Sequence, residues 1–577
     1  MKKITSLIII LYGIIYSVQS QTWVVINSSS PEEISAYVTE SNSQTIKVKF
    51  DTHGFYSKTL TAKNETYQRL MIPGAGRSQT TGFPELPLIH QIIAIPECDN
   101  VNITYQIIQE SVFDNYNIYP VPDYQVITNP DSTCVVTELF SKDVVGYERD
   151  TLSPYNNVLN SEIGYFRNQK YIEVEVSPFR YNPVTQKLYV ATELEITLNL
   201  TNATGSTSSN LGIFNNVAAN TMLNYTSTNK TAEENDMRLG GGSVSYIELQ
   251  TPLQAGNIQA DYLIICADQF IENGAPSSEL MRIAQHRAYY NGFDVAILKL
   301  DNILQVGFSY NDPLYKWEGM MRSCIKAVYD GCNANNTIDG HLGYVLLVGK
   351  PPVRNSETQY NPAYHGFVPT AYSHGVKQNF DNYPKELYPS DYWFSCITHN
   401  SQNIYDKVGD LFIGRFCVEN ESQLRNIVNK TIKREREYRP VKSKIVNAAN
   451  DIVYQEFNGY FENSLYPHIQ SFLGNHQTLT IANRWIDNLT TYKTKVLSML
   501  NDGTPYFTIY THGSYNGWQN LYDLPTNLDN GNTMNQFCMS YACLTGKMDY
   551  TLPCWGQKLT SDDPNIGMVG FLGSGRL

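Results

Sequence analysis

A histidine and a cysteine each follow an apolar stretch near the carboxyl end of the chain. His512 comes directly after the run 505–511, and Cys543 comes directly after the run 537–542. A thiolate attacks carbonyl carbons far better than a thiol does, and a neighbouring imidazolium raises the thiolate fraction at neutral pH. The imidazole can then protonate a leaving amine. These residue types predict nucleophilic acyl chemistry, such as the hydrolysis of a peptide bond.

The two positions are spaced so that their side chains could meet. Both preceding runs have the apolar and β-branched character of buried strands, and the interval between them is long enough for one crossover. Parallel strands end at the same edge of a sheet, where open α/β sheets place their sites. The backbone N–H groups of Gly513 and Cys543 could then form an oxyanion hole, in which each donor contributes roughly 3 kcal/mol.

Residue types alone leave other interpretations open. Cys543 could be a buried structural thiol, and His512 could be a hydrogen-bonded surface residue. Cys538 is a rival nucleophile, but it lies inside the second predicted strand, where we expect it to be buried. The ten cysteines contain no CxxC pair, so a zinc site is not expected.

The elements that must position this pair belong to a region of alternating strands and helices, residues 246–577. Short apolar strands, such as 343–349 (GYVLLVG), alternate with amphipathic helices, such as 277–290. Runs that are apolar throughout are typical of parallel strands buried on both faces. We therefore predict an α/β fold with a doubly wound, mostly parallel sheet and helices on both faces.

The preceding part of the chain has a different pattern. Residues 21–200 contain alternating and β-branched stretches, such as 45–50 and 171–176, separated by clusters of Gly, Pro, Asn and Asp. This pattern predicts an all-β domain, either an antiparallel sandwich or a barrel. Residues 201–245 are rich in Ser, Thr, Asn and Gly, and they predict a flexible polar linker that is open to proteases.

The first residues predict a secretory signal peptide, 1–20. A short basic region precedes an apolar run at 4–15, and small residues follow at the spacing of a cleavage site. An uncleaved anchor is the alternative, although the run is short for a membrane span. We expect secretion, or delivery to the lumen of the secretory or lysosomal pathway, and no membrane span after removal. The apolar strand directly before Leu577 suggests a chain truncated at its C-terminus.

Composition and net charge limit the kinds of partner that the chain is expected to bind. The chain has 577 residues and a formal net charge of −13, without a dense basic patch, so nucleic acid is not an expected partner. Hydrophobic residues make up 42% and charged residues 17%, which is typical of a folded globular protein. In an oxidising compartment some cysteines could bridge, and Cys98–Cys134 and Cys324–Cys332 are the candidate pairs.

Several short motifs, in the same order along the chain, resemble those of gingipain-type cysteine peptidases. The segment 510–514 (YTHGS) is similar to the family's histidine motif, and 541–546 (YACLTG) is similar to its nucleophile motif. Nearer the other end, 82–87 (GFPELP) resembles the hallmark of the family's inhibitory propeptide. The resemblance implies a caspase-like fold for residues 246–577, preceded by an all-β propeptide domain.

The resemblance also implies a mechanism and its partners. His512 and Cys543 would hydrolyse peptide bonds of protein or peptide substrates through a thioester, and no cofactor would take part in the chemistry. The β-rich domain would act as a chaperone and as an intramolecular inhibitor of the same chain. Maturation would be cleavage within the polar linker.

Further site residues follow only from matching the chain to the family pattern. Asp451, or its neighbour Asn450, would orient the histidine. Asp451 could equally be a solvated acid in a loop. Glu462 would lie at the base of a specificity pocket and favour cleavage after Arg or Lys, unless it is an exposed helical glutamate. Asp406 and Asp410 would bind a structural Ca²⁺, or they are ordinary loop carboxylates.

Three functions remain open on the sequence alone. The first is a secreted cysteine endopeptidase precursor that uses Cys543 and His512. The second is a catalytically inactive homologue that acts as a secreted binding or surface protein. The third is a transpeptidase that uses the same Cys–His pair and accepts an amine in place of water.

Overall fold

The computed structural model describes most of the chain after the predicted signal peptide, which lies outside the described residues. The described ranges are 21–128, 134–205, 207–209, 211–227, 241–310, 316–333, 342–352, 367–374, 387–398, 408–437, 444–449, 478–483, 488–503, 505–531, 533 and 535–575. Within these ranges, no helix combines the length and the apolar character needed to cross a bilayer.

The N-terminal part is built almost entirely of strands. They are β1 (Gln21–Val25), β2 (Ser35–Ser41), β3 (Thr45–Asp51), β4 (Gly54–Ala62), β5 (Glu65–Met71), β6 (Gly76–Arg77), β7 (Pro87–Ala94), β8 (Asn100–Phe113), β9 (Asp123–Thr128), β10 (Cys134–Leu139), β11 (Val158–Phe166), β12 (Gln169–Val176), β13 (Phe179–Asn182), β14 (Lys187–Thr201), β15 (Ser208–Ser209), β16 (Met222–Leu223) and β17 (Thr226–Ser227). The short helices of this part are Val144–Tyr147, Gly212–Phe214 and Asn215–Thr221.

Two five-stranded sheets of this part enclose one apolar core. One sheet has the order β11-β12-β7-β16 with β6 beside β7, and the other has the order β13-β14-β3-β2 with β8 beside β14. In β3 the side chains of Ile46, Val48 and Phe50 are buried and alternate with more exposed ones, the pattern of a strand with one face in a core. They pack in the same cluster as Ile93 and Val174 of the facing sheet. The predicted all-β domain is therefore a sandwich.

The predicted linker, 201–245, is too long. Within it, residues 211–225 pack onto the sandwich, and β16 pairs in parallel with β7. Leu211, Phe214, Ala218 and Met222 are buried there. Their three- and four-residue spacing is the helical signal that the polar composition of the segment concealed.

The first part of the α/β region forms a parallel sheet with the order β18-β22-β19-β23-β26. Its strands and the short strands near it are β18 (Val244–Ile247), β19 (Tyr262–Cys266), β20 (Ile271–Glu272), β21 (Ala275–Pro276), β22 (Val295–Lys299), β23 (Tyr344–Val348), β24 (Ala371–His374), β25 (Leu387–Ser390) and β26 (Phe412–Phe416). The helices are Pro252–Asn257, Asp268–Phe270, Ser278–His286, Arg287–Asn291, Leu300–Val306, Lys316–Asn333, Asp391–Phe394 and Glu421–Glu437.

The last part of the chain forms a second parallel sheet with the order β28-β27-β29-β32-β33. The strands are β27 (Lys444–Ala449), β28 (Thr478–Asn483), β29 (Tyr506–Tyr510), β30 (Gly513–Ser514), β31 (Gly517–Trp518), β32 (Gln536–Tyr541) and β33 (Met568–Gly573), and the helices are Leu489–Asn501, Leu524–Asn527 and Trp555–Ser561. The α/β class with parallel strands is confirmed, but the described strands form two separate sheets where we predicted one.

The helix Glu421–Glu437 joins the two sheets. Leu424 and Val428 are buried in the core of the first sheet. From the same helix, Lys430 Nζ donates to the carbonyls of Asp563 and Ile566, at 2.8 and 3.0 Å, in the turn before β33. Burial lowers the pKa of Lys430 to about 8, and the nearby carboxylates oppose this effect. The helix thereby fixes the first sheet to the last strand of the second.

Candidate active site

His512 and Cys543 follow two neighbouring parallel strands at matching positions. β29 pairs with β32 in a register that places Tyr510 beside Tyr541, and each candidate residue stands two positions further on. The pairing continues past the strand ends, because the Thr511 N–H donates to the Tyr541 carbonyl at 3.3 Å. The structure therefore brings the two predicted residues to the same carboxyl edge of the second sheet.

The segments that carry these two residues are in direct contact. A Cβ atom built on Gly513 would lie 2.8 Å from the Cys543 carbonyl oxygen and 2.9 Å from Ala542 Cβ. Both distances are shorter than van der Waals contact, so only glycine leaves room for this approach. The segment after His512 thus packs against the backbone of Cys543 itself, as a base and its nucleophile require.

Both side chains open onto one cleft of about 470 Å³. Its lining residues are Thr511, His512, Met539, Ser540, Tyr541, Ala542, Cys543, Leu572, Gly573 and Ser574. His512 and Cys543 are each half-buried, so both can be reached from solvent. Tyr541 is 54% exposed and Leu572 is 60% exposed, which gives the cleft apolar surface that a peptide could cover.

A buried chain of hydrogen bonds holds the turn that carries Cys543. Trp518 Nε1 donates to Ser540 Oγ at 2.8 Å, and Ser540 Oγ lies 3.0 Å from Thr545 Oγ1. Thr545 Oγ1 also donates to the Ala542 carbonyl at 2.9 Å. The sequence-based predictions missed these three side chains. The available signal was a serine on the buried face of a strand, where a hydroxyl needs a partner.

The residue after Cys543 has an unusual backbone conformation. Leu544 has a φ of 61°, in the left-handed region, where a residue with a Cβ pays roughly 1–2 kcal/mol. Its carbonyl accepts the Lys547 N–H at 3.1 Å, and the Gly546 N–H donates to the Ser574 carbonyl at 2.8 Å. These bonds hold a sharp turn at Cys543, and strained positions of this kind cluster at functional sites.

The hairpin of β30 and β31 orients the Gly513 N–H. The Gln519 N–H donates to the His512 carbonyl at 2.9 Å, and Gly513 is paired with Trp518. Hydrogen-bonded and non-hydrogen-bonded pairs alternate in an antiparallel ladder. The pair Gly513–Trp518 is therefore a non-hydrogen-bonded pair, and the Gly513 N–H points away from β31. A donor of an oxyanion hole needs this orientation, although the role itself stays a prediction.

Substituting alanine for Gly513 should displace the segment after His512 relative to the segment that carries Cys543. The added methyl group would press on the Cys543 carbonyl and on Ala542, so the segment after His512 must shift. We expect kcat/KM to fall about 100-fold, the effect typical of a displacement near 1 Å. The measurement is peptide hydrolysis alongside thermal unfolding. Gly414→Ala is the matched control, because nothing lies within 4 Å of a Cβ there; equal activity of both variants would contradict the prediction.

Of the other described cysteines, Cys417 is half-buried like Cys543, and the rest are buried. Cys538 is completely buried in β32, and burial raises the pKa of its thiol well above the ordinary value, so the prediction that it is buried is confirmed. Among the side chains that the structure describes, no disulfide forms. Cys98–Cys134 is therefore wrong, as is Cys324–Cys332, whose two cysteines lie on one helix. Eight residues of helix span about 12 Å, which a disulfide cannot bridge.

Four predicted site residues lie outside the described part of the chain. They are Asn450 and Asp451, one of which would orient the histidine, Glu462 of the specificity pocket, and Asp406 of the calcium site. Their roles stay predictions.

Asp410 is described, and its carboxylate is surrounded by donors. Oδ1 accepts the Arg167 N–H at 2.7 Å, and Oδ2 accepts the N–H groups of Ile397 and Thr398, both at 2.9 Å. Burial raises the pKa of this carboxyl, while these hydrogen bonds act in the opposite direction. Calcium is bound by about six to eight oxygen ligands, and no group of three or more His, Cys, Asp or Glu in the described ranges could hold a metal. Because Asp406 lies outside these ranges, the calcium role of Asp406 and Asp410 stays a prediction.

Comparison with known proteins identifies the family of the chain. The model of Peptidase family C25 matches residues 256–577, and the model of Propeptide_C25 matches residues 27–232. Gingipain R2 from two strains of Porphyromonas gingivalis is 20% and 21% identical over 508 residues, which is 85% of this chain and 58% of the relative. The chain thus spans little more than half the length of these curated relatives.

Two solved structures are also similar in part. The crystal structure of the Arg-specific cysteine proteinase gingipain R is 17% identical and covers 56% of this chain and 63% of its own, with a TM-score of 0.37. A structure on the zymogenic latency of gingipain K from Porphyromonas gingivalis is 18% identical and covers 32% of this chain and 100% of its own, with a TM-score of 0.26. Because the catalytic family model covers more than half of the 577 residues, the chain belongs to peptidase family C25 and carries a C25 propeptide.

Proposed function

We propose that the protein is the precursor of a secreted cysteine endopeptidase, with Cys543 as nucleophile and His512 as general acid and base. One observation carries the proposal: the two residues stand at equivalent positions after adjacent parallel strands and line the same cleft. The contact between Gly513 and the Cys543 backbone supports it, because it joins the two segments directly.

In the proposed reaction, His512 takes the proton of the Cys543 thiol, and the resulting thiolate attacks the carbonyl carbon of the scissile bond. The N–H groups of Gly513 and Cys543 would stabilise the oxyanion. His512 would then protonate the leaving amine, which departs and leaves a thioester on Cys543. His512 next takes a proton from water, which attacks the thioester and releases the free acid. Apart from this water, every group in these steps belongs to the chain or the substrate.

The N-terminal sandwich would keep the enzyme latent. Residues 27–232 match the C25 propeptide, and the sandwich contacts the α/β region through the turn at Arg167. Cleavage of the chain between the two parts would then start maturation. Secretion and removal of residues 1–20 belong to the same proposal and rest on the apolar run at the N-terminus.

Specificity for basic residues is the finer part of the proposal. One of the similar structures is that of an Arg-specific cysteine proteinase, and Glu462 would supply the acid at the base of the pocket in this chain. A peptide series that differs only in the residue before the scissile bond, Arg, Lys or Gln, tests this point. We expect cleavage after Arg and Lys and no cleavage after Gln, and equal cleavage of all three peptides would contradict it.

The same peptides separate the three functions that the sequence left open. With an added amine, such as a glycine amide, mass spectrometry distinguishes the free acid of hydrolysis from the amide of transpeptidation. We expect the free acid as the main product from protein cut between residues 228 and 240. A dominant amide product would indicate a transpeptidase, and the absence of both products would favour an inactive binding protein.

A further inference from the structure

The turn between β11 and β12 inserts one arginine into the α/β region. Arg167 stands at the tip of this hairpin, directly after Phe166, and its side chain is buried. It belongs to the propeptide match, 27–232, whereas its partners belong to the peptidase match, 256–577. The contact therefore joins the two functional parts of the chain across a sequence separation of 243 residues.

The guanidinium is held on its faces and at its edge. Its carbon lies 4.6 Å from the centre of the Phe214 ring and 4.9 Å from the centre of the Tyr329 ring, a cation–π arrangement with one ring from each part. Nη1 donates to the carbonyls of Asp410 and Leu342, at 2.6 and 3.2 Å. Arginine suits such a site because its planar group can stack and donate at the same time.

The backbone of the turn is held as firmly as the side chain. The Arg167 N–H donates to Asp410 Oδ1 at 2.7 Å, and Thr398 Oγ1 donates to the Tyr165 carbonyl at 2.9 Å. Arg167 has a φ of 57°, a left-handed conformation that is uncommon for a residue other than Gly, Asn or Asp. The backbone N–H and the side chain of this strained turn are both hydrogen-bonded to the α/β region, which indicates that the contact itself fixes the conformation.

The contact lies away from the catalytic cleft. Leu342 and Asp410 come directly before β23 and β26, at the amino edge of the first sheet. His512 and Cys543 follow strands at the carboxyl edge of the second sheet, and none of the residues around Arg167 lines their cleft. Retention of the propeptide at this place therefore does not depend on occupation of the active site.

A second aromatic contact extends the same surface. The Phe214 ring, from the segment that packs onto the sandwich, stacks on the Phe412 ring of β26, with centroids 4.5 Å apart and planes 13° apart. Phe412 is 40% exposed even in this arrangement. Dissociation of the sandwich would expose Phe412 to water and remove one hydrogen-bond donor from the Asp410 carboxylate. Both changes are unfavourable, so the sandwich should stay bound after the chain is cut.

We infer that Arg167 is an anchor that keeps the severed propeptide bound to the peptidase domain at a docking surface formed by Tyr329, Leu342, Thr398, Asp410 and Phe412. The occupant of this surface is the chain's own sandwich domain. Maturation then needs a second event after the cut, which breaks this contact or digests the propeptide. The inference rests on the proposed function only in requiring that the chain be cut between the two parts.

The test uses the full chain with Cys543→Ala, so that no peptidase activity is involved and failure of the catalytic proposal cannot affect the result. A recognition site for a specific protease, placed between residues 230 and 240, allows the chain to be cut on demand. Size-exclusion chromatography and dilution then give the Kd of the two fragments. We expect co-elution for the parent protein, a Kd at least 100-fold higher for Arg167→Ala, and about 10-fold higher for Arg167→Lys.

Arg180→Ala is the matched control. Arg180 pairs with Glu110 inside the sandwich at 2.7 Å, so the Kd should stay within about twofold of the parent value. If Arg167→Ala does not fold, Thr398→Val tests the same contact from the other side with little change in shape, and should raise the Kd about 10-fold. Immediate separation of the parent fragments, or a parent-like Kd for either Arg167→Ala or Thr398→Val, would overturn the inference.

Discussion

Replacing Cys543 by alanine should lower the kcat/KM of peptide hydrolysis by at least about 10⁴-fold. The variant keeps the cleft and the oxyanion donors but has no atom that can form the thioester. Alanine also keeps the backbone of the turn, because the bonds that hold Thr545 and Gly546 do not involve the thiol. The measurement is the rate of release from a fluorogenic peptide by protein cut between residues 228 and 240.

Cys538→Ala is the control that makes this result specific. Cys538 lies in the strand that leads to Cys543 but is completely buried in the core. Removing its sulfur leaves a small cavity and should cost about 1 kcal/mol of folding free energy, with activity retained at temperatures where the variant is folded. Loss of activity in Cys538→Ala together with full activity in Cys543→Ala would show that the nucleophile has been misidentified.

A thiol-reactive peptide supplies a readout that does not depend on turnover. The half-buried Cys543 lines the cleft, whereas Cys266, Cys324 and Cys538 are completely buried. Cys417 is also half-buried, but it does not line the cleft, and desolvation raises the pKa of its thiol. Burial also raises the pKa of the Cys266 thiol to about 12, which keeps it protonated and unreactive. One label per chain, located at Cys543 by peptide mapping, is therefore the expected result.

The strands that carry the site could be predicted because their apolar runs are distinctive. The run before His512 extends one residue beyond β29, Tyr506–Tyr510, at each end, and the run before Cys543 differs from β32 by one residue at each end. Their adjacency did not follow from the sequence, since the spacing permits neighbouring strands without requiring them. Two separate sheets were also not predictable, because periodicity identifies strands and not the order in which they pair.

The contacts of Asp410 show where local sequence is insufficient. A carboxylate in a loop before a strand is compatible with a metal ligand, a helix cap or an acceptor of buried backbone hydrogen bonds. In the structure it accepts the backbone N–H of Arg167, which lies 243 positions away and belongs to another domain. No local pattern indicates such a distant partner.

The polar linker was misjudged although a local signal existed. Its buried residues have helical spacing, but the polar composition of the segment concealed it.

The hydrogen-bonded side chains that hold the turn at Cys543 were hard to predict, because two of them are small. Ser540 lies in the strand before Cys543 and Thr545 lies in the turn after it, and in the sequence both are ordinary small polar residues. Their function depends on Trp518, which reaches them from the hairpin after His512. The network is therefore a second connection between the segments that carry His512 and Cys543, in addition to the contact of Gly513.

Replacing His512 by alanine should lower kcat/KM about 10³-fold to 10⁴-fold at neutral pH. The imidazole has two tasks in the proposed reaction, generating the thiolate and protonating the leaving amine, and general acid–base catalysis alone contributes typically about 10²-fold to 10⁴-fold. Alkylation of Cys543 by iodoacetamide should slow as well, since the thiolate loses its imidazolium partner. A residue that only stabilised the fold would change unfolding temperature without changing this alkylation rate.

His90→Ala provides the comparison for that experiment. His90 lies on the sandwich, where it contacts Glu173 at 3.2 Å on the surface, so its loss should alter neither alkylation nor hydrolysis. Exogenous imidazole offers a further test, because a small base that enters the vacated space of His512→Ala should restore part of the activity and none of it in Cys543→Ala. If His512→Ala hydrolyses peptides at the parent rate, Cys543 does not act with His512, and the register of β29 and β32 would have to serve a structural purpose only.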